Sequence, residues 1–105
     1  MKGVARANQR DSVDSKTGVG DDCKYPVVTS TGPATTSKVF IEGIPAVRED
    51  DRVGPHNKKG CDPDESVLTS FSSKVSITGK GIGRLDDKYT DDNIITSASS
   101  KVFAN

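Results

Sequence analysis

Cys23 and Cys61 are the two side chains of this 105-residue chain with the most reactive chemistry on offer. Two thiols are too few for a framework of several disulfides, and three fates stay open for them. A reducing compartment favours metal ligation or two buried thiols, and an oxidising one permits a single disulfide. The carboxylate doublets Asp50-Asp51, Asp86-Asp87 and Asp91-Asp92 have the chemistry of calcium sites and of acid–base pairs. They recur in step with a longer repeat, which favours turns in which Asp binds nearby backbone N–H groups. Gly79-Lys80-Gly81-Ile82-Gly83 is glycine-rich like a phosphate-cradling loop, but it lacks the dinucleotide spacing and a following helix, and reads better as a hairpin turn. His56 is the single histidine, no Ser/His/Asp setting accompanies it, and no catalytic residue is assigned.

The elements that would position these residues must be built on a thin core. Apolar residues make up 31% of the chain, with three Phe, two Tyr and no Trp, so packing falls to Val and Ile. A single domain spanning 1–105 is expected, and one this small needs a metal, a disulfide, a repeat architecture or a partner to supplement its core. Fifteen basic and fifteen acidic side chains cancel and are interspersed, which argues against a nucleic-acid binder. No run of eighteen apolar residues is present, and Met1-Lys2-Gly3-Val4-Ala5-Arg6 lacks the apolar stretch of a secretory signal, so synthesis and residence in the cytoplasm are the default expectation.

A repeat organises the chain. Ser37-Lys38-Val39-Phe40-Ile41-Glu42-Gly43-Ile44-Pro45-Ala46-Val47-Arg48-Glu49-Asp50-Asp51 returns, at an offset of 36, as Ser73-Lys74-Val75-Ser76-Ile77-Thr78-Gly79-Lys80-Gly81-Ile82-Gly83-Arg84-Leu85-Asp86-Asp87. A third copy opens at Ser100-Lys101-Val102-Phe103, and its missing half reads from the other terminus as Gly3-Val4-Ala5-Arg6 followed by Asp11-Ser12-Val13. The repeats are approximately 34–69, 70–96, and a split unit of 97–105 with 1–33. A split unit closes only if the termini meet, which predicts three units around an axis. Each copy starts from a Ser/Thr-rich lead-in and alternates Val and Ile with a variable residue, as a short half-buried strand does. Glu42-Gly43 and Thr78-Gly79 fall where a tight turn needs positive φ, and the return strand is expected from Ile44-Pro45-Ala46-Val47 or Ile82. The predicted fold is all-β, three short hairpin repeats with little or no helix. Arg48 and Arg84 share a phase that suits structural hydrogen bonds, and Lys38, Lys74 and Lys101 share one that suits edge protection or a partner contact.

The stretch Ser37-Lys38-Val39-Phe40-Ile41-Glu42-Gly43-Ile44-Pro45-Ala46-Val47-Arg48 resembles the defining segment of PAAR-repeat proteins, named for a Pro-Ala-Ala-Arg run. Pro45-Ala46-Val47-Arg48 stands at the central position, Asp50-Asp51 replaces a Gly-Asp pair, and Gly81-Ile82-Gly83-Arg84 loses the Pro but keeps the Arg. The resemblance implies a cone of short strands on the C-terminal end of a trimeric β-helical spike, one chain per trimer, in a contractile phage tail or a type VI secretion system. There it would sharpen the spike for crossing a target cell's outer membrane, with neither a nucleic acid nor a small-molecule substrate. The chain stops at Asn105 just after the third strand signal, so a fused toxin domain is not expected.

The family usually carries a metal near the apex, held by His and Cys from the loops. Cys23, His56 and Cys61 match that description, with four residues between His56 and Cys61. Thiolate and imidazole favour zinc, then iron, over calcium or magnesium. Asp91 is the positional candidate for a fourth ligand, ahead of Asp22 and Asp14, while a disulfide or inert thiols remain the bland readings. A free-standing small zinc-binding interaction module is the alternative to a spike tip.

Overall fold

The computed structural model describes residues 1–15, 28–54, 56, 65–90 and 93–105. It is all-β, with strands β1 (Lys2–Gly3), β2 (Ser12–Ser15), β3 (Val28–Ser30), β4 (Phe40–Ile41), β5 (Ile44–Pro45), β6 (Ser76–Ile77), β7 (Lys80–Gly81), β8 (Asn93–Ile95) and β9 (Phe103–Ala104). No α-helix occurs among the described residues. Strands this short gain little from their own ladders, so their stability must come from what they pack against.

Two hairpins form where the Gly turns were expected. β4 pairs with β5 (Phe40↔Pro45, Ile41↔Ile44), and β6 pairs with β7 (Ser76↔Gly81, Ile77↔Lys80). Their turn residues have φ of 55° and 83° at Glu42 and Gly43, and 49° and 85° at Thr78 and Gly79. Positive φ at both central positions is the mark of the type I′ turn, whose twist matches that of the flanking strands. The third pair is assembled from the two ends of the chain: Lys2↔Ala104 and Gly3↔Phe103. In this register Ala104 and Lys2 stand where Ile41 and Ile44 do, and Asn105 and Met1 fall at the two turn positions.

The segments that follow the three pairs bond to one another in a closed cycle. Ala5 N–H donates to Gly83 O (3.0 Å), Gly83 N–H to Val47 O (2.8 Å) and Val47 N–H to Ala5 O (3.1 Å). Single bridges repeat the cycle: Arg6 with Ala46, Arg48 with Ile82, Arg84 with Val4. Two core layers stack on this ring. One holds Val4, Ile41, Ala46, Ile77, Ile82 and Ala104, two residues from each hairpin unit. The other gathers Ala5, Ala7, Val13, Val47, Val53, Leu68, Tyr89 and Ile95. From this layer Val13 pairs with Ile95, Val53 with Thr31 and Tyr89 with Leu68, each pair joining two units.

Three details differ from the sequence reading. The return strand of the second copy begins at Lys80, two residues before Ile82, because the two-residue turn ends at Gly79. Val and Ile do not share a buried face: Ile41 and Ile77 are buried, whereas Val75 is 40% exposed and Val39 half-buried. The valines precede the paired residues and sit at the rim of the layer, where only Val39 packs against it. Beyond the hairpins, β3, β2 and β8 form a three-stranded antiparallel sheet that the repeat did not announce. Ser12-Val13-Asp14-Ser15 offers a single apolar residue, Val13, to mark β2.

Candidate functional site

Each hairpin unit is latched by a buried carboxylate. Asp11, Asp51 and Asp87 are almost fully buried, and each accepts the backbone N–H of its unit's arginine: Arg6 (2.6 Å), Arg48 (3.0 Å) and Arg84 (2.7 Å). Each also accepts a hydroxyl from a lead-in: Ser97 to Asp11 (2.9 Å), Thr35 to Asp51, Ser70 to Asp87 (3.2 Å). The doublets Asp50-Asp51 and Asp86-Asp87 are thus turn devices, as their periodicity suggested, while Asp91-Asp92 lies outside the described residues. Their first members, Asp50 and Asp86, take φ of 69° and 71°, a left-handed conformation that Asp tolerates better than most residues.

The guanidinium groups break the equivalence. Arg6 grips Asp11 through Nε (3.0 Å) and Nη2 (2.8 Å), and Arg84 grips Asp87 through Nε (3.0 Å) and Nη2 (3.0 Å). Arg48 instead turns away to the Thr35 hydroxyl and carbonyl and to Thr78 in the next hairpin turn. The consequence shows in the proton equilibria. The hydrogen bond to Asp11 raises the Arg6 pKa further above its ordinary value. Asp51 lacks such a bond, and burial pushes its pKa up against the lowering effect of Thr35 and the Arg48 amide. Burial, with Asp51 and Asp11 adding to it, also pushes the Tyr89 hydroxyl above the usual phenol range.

With the units latched, apolar side chains are left exposed at matched positions of the repeat. Phe40 is 55% exposed and Phe103 48%, and Val75 and Val102 are exposed beside them. Ser76 takes the Phe position in the second copy. Phenylalanines thus stay solvated at one phase of two of the three copies.

The metal reading rests on His56 and on residues within 16–27, 57–64 and 91–92, which lie outside the described residues. β2 and β3 pair up to Asp14↔Val28, β2 and β8 up to Ser15↔Asn93, and Asn93 Nδ2 donates to Ser66 Oγ (2.8 Å). Gly54 N–H donates to Ser30 O (2.7 Å), which tethers the start of the His56 segment to the end of β3. The strand ends flanking residues 16–27, 57–64 and 91–92 are therefore linked to one another. His56 is buried, 7% exposed, with Nδ1 at 2.9 Å from Gly54 O. A carbonyl can only accept, so this contact places a proton on Nδ1, an arrangement in which Nε2 is the nitrogen that could act as a ligand. Cys23, Cys61, Asp91 and Asp22 lie outside the described residues. Asp14 is half-buried in β2, opposite Val28 and Ile94. Among the described residues no three His, Cys, Asp or Glu side chains group as a metal site.

Compared with known protein families and with curated protein sequences, the chain matches none.

Proposed function

We propose that this chain is a non-enzymatic tip that caps the threefold end of a trimeric β-helical spike, in a phage tail or a type VI secretion apparatus. The observation that carries the reading is the closed cycle of hydrogen bonds through Ala5, Val47 and Gly83, since a chain built as three equivalent units can meet three identical strand ends at once. The exposed Phe40 and Phe103, with Val75 and Val102, supply the apolar contact, and covering the spike's open edges removes unpaired backbone groups that invite aggregation. A cone tapering from that face to the loop end would sharpen the spike for crossing an outer membrane.

The loop end is proposed to hold one structural zinc ion through Cys23, His56 and Cys61, iron being the second choice. The residues fit on one observation, the His56 ring oriented by Gly54 O. Bound zinc would contribute folding energy on the order of 10 kcal/mol in a domain of this size. Native mass spectrometry of the chain mixed with a trimeric β-helical spike tests the capping role: one copy per trimer is expected, and three copies per trimer would refute it. Elemental analysis of wild type and Cys23→Ser tests the metal, with zinc lost in the variant; retention removes Cys23 from the site.

A further inference from the structure

We infer that the partner's end carries an acidic ring, one carboxylate per chain, which meets Lys38, Lys74 and Lys101; this rests on the capping reading above. The three lysines are exposed and come from different repeats. The backbone of each is fixed by the same contact: Lys38, Lys74 and Lys101 N–H donate to the hydroxyls of Thr36, Ser72 and Ser99, at 3.1 Å in every case. Those three hydroxyl residues are buried, so the lysine positions are set by the core and not by the surface.

The exposed apolar residues follow each lysine directly, as Val39-Phe40, Val75-Ser76 and Val102-Phe103. Lys80, on a return strand, is neutralised by Asp50 at 3.5 Å, whereas none of the three phase-matched lysines makes an ion pair among the described residues. A body that covers the exposed apolar residues of all three repeats therefore meets a lysine one or two residues away in the chain in each of them. A neutral rim would strip water from these lysines without return, and a basic rim would repel them. A carboxylate from each chain of a trimer matches the number of the charges, one per repeat. An anionic bilayer would also attract lysines, but it gives no reason for one lysine per repeat at a core-fixed position.

The test uses three trimeric β-helices of one sequence that differ only in the terminal ring residue: Glu, Gln or Lys. Binding is measured by calorimetry at low and high salt for wild type and for the triple variant Lys38→Gln/Lys74→Gln/Lys101→Gln, whose fold is checked by thermal melting. Wild type is expected to bind the Glu end about tenfold more tightly than the Gln end, from three exposed ion pairs, and the Lys end least. That preference should shrink at high salt and vanish in the triple variant. Equal affinity for all three ends overturns the acidic ring while leaving the capping reading intact. Binding to none of them, together with lysine-dependent binding to vesicles containing phosphatidylserine, overturns both and assigns the face to a membrane.

Discussion

Replacing Asp87 by Asn should unfold this protein far more readily than replacing Asp51 by Asn, although the two carboxylates hold equivalent places in the repeat. Asp87 accepts Arg84 N (2.7 Å), Nε (3.0 Å) and Nη2 (3.0 Å), and Ser70 Oγ (3.2 Å). Its side chain is 4% exposed and that of Arg84 18%. An amide has one acceptor oxygen, so in Asp87→Asn an NH2 group must face an arginine donor, and the cation loses its counter-charge. Breaking one side of a buried pair costs about 3–5 kcal/mol; the partial exposure of Arg84 sets the expectation at the lower end, about 3 kcal/mol. Asp51 faces one amide N–H and one hydroxyl and no guanidinium, and an Asn can accept from the first and donate to the second. Its replacement should cost under about 1 kcal/mol. Urea unfolding of both variants at neutral pH measures the difference. Arg84→Ala on the Asp87→Asn background should then add little, because the interaction is already gone. Equal midpoints for Asp87→Asn and Asp51→Asn would refute the reasoning, since it rests on which carboxylate holds the guanidinium.

Asp51 also sets a pH dependence. Burial raises its pKa in the folded state, so the fold binds the proton more tightly than the unfolded chain does. Its contribution is most favourable below the unfolded carboxylate pKa of about 3.9 and declines as pH rises through the raised folded value. The difference between wild-type and Asp51→Asn urea midpoints should therefore shift against wild type on going from acid to neutral pH, and a flat difference would exclude the effect. Tyr89 Oη is buried without a hydrogen-bond partner among the described residues, so Tyr89→Phe should raise stability by about 1 kcal/mol in the same assay. Joining Asn105 to residue 1 in a Met1→Gly backbone-cyclic form would complete the third hairpin with an Asn-Gly turn. By restricting the unfolded chain it should stabilise the protein by roughly 3–5 kcal/mol, and an unchanged midpoint would show that the ends do not meet in this register.

What the sequence made legible were the features that recur. Two Glu/Thr-Gly turns, the arginine phase and the doublets Asp50-Asp51 and Asp86-Asp87 each appeared more than once at one spacing, and each occupies equivalent backbone geometry in the structure. Asp11 was legible only through Arg6, because two further residues separate that pair and the turn absorbs them with Asn8 and Gln9 at φ of 58° and 66°. The β3–β2–β8 sheet was not legible: β8 comes from a different unit than β2 and β3, and the strands are stabilised by partners distant in sequence, such as Val13 with Ile95. The candidate contact face was half legible. The equal phase of Lys38, Lys74 and Lys101 could be read from spacing alone, but the exposure of Phe40 and Phe103 could not, because alternation says that two faces differ without saying what covers each. Exposure is decided by the second core layer, which Ile41, Ile77 and Ala104 fill from the opposite side of the same strands. A small core buries one face of a two-residue strand, and the other face is left exposed.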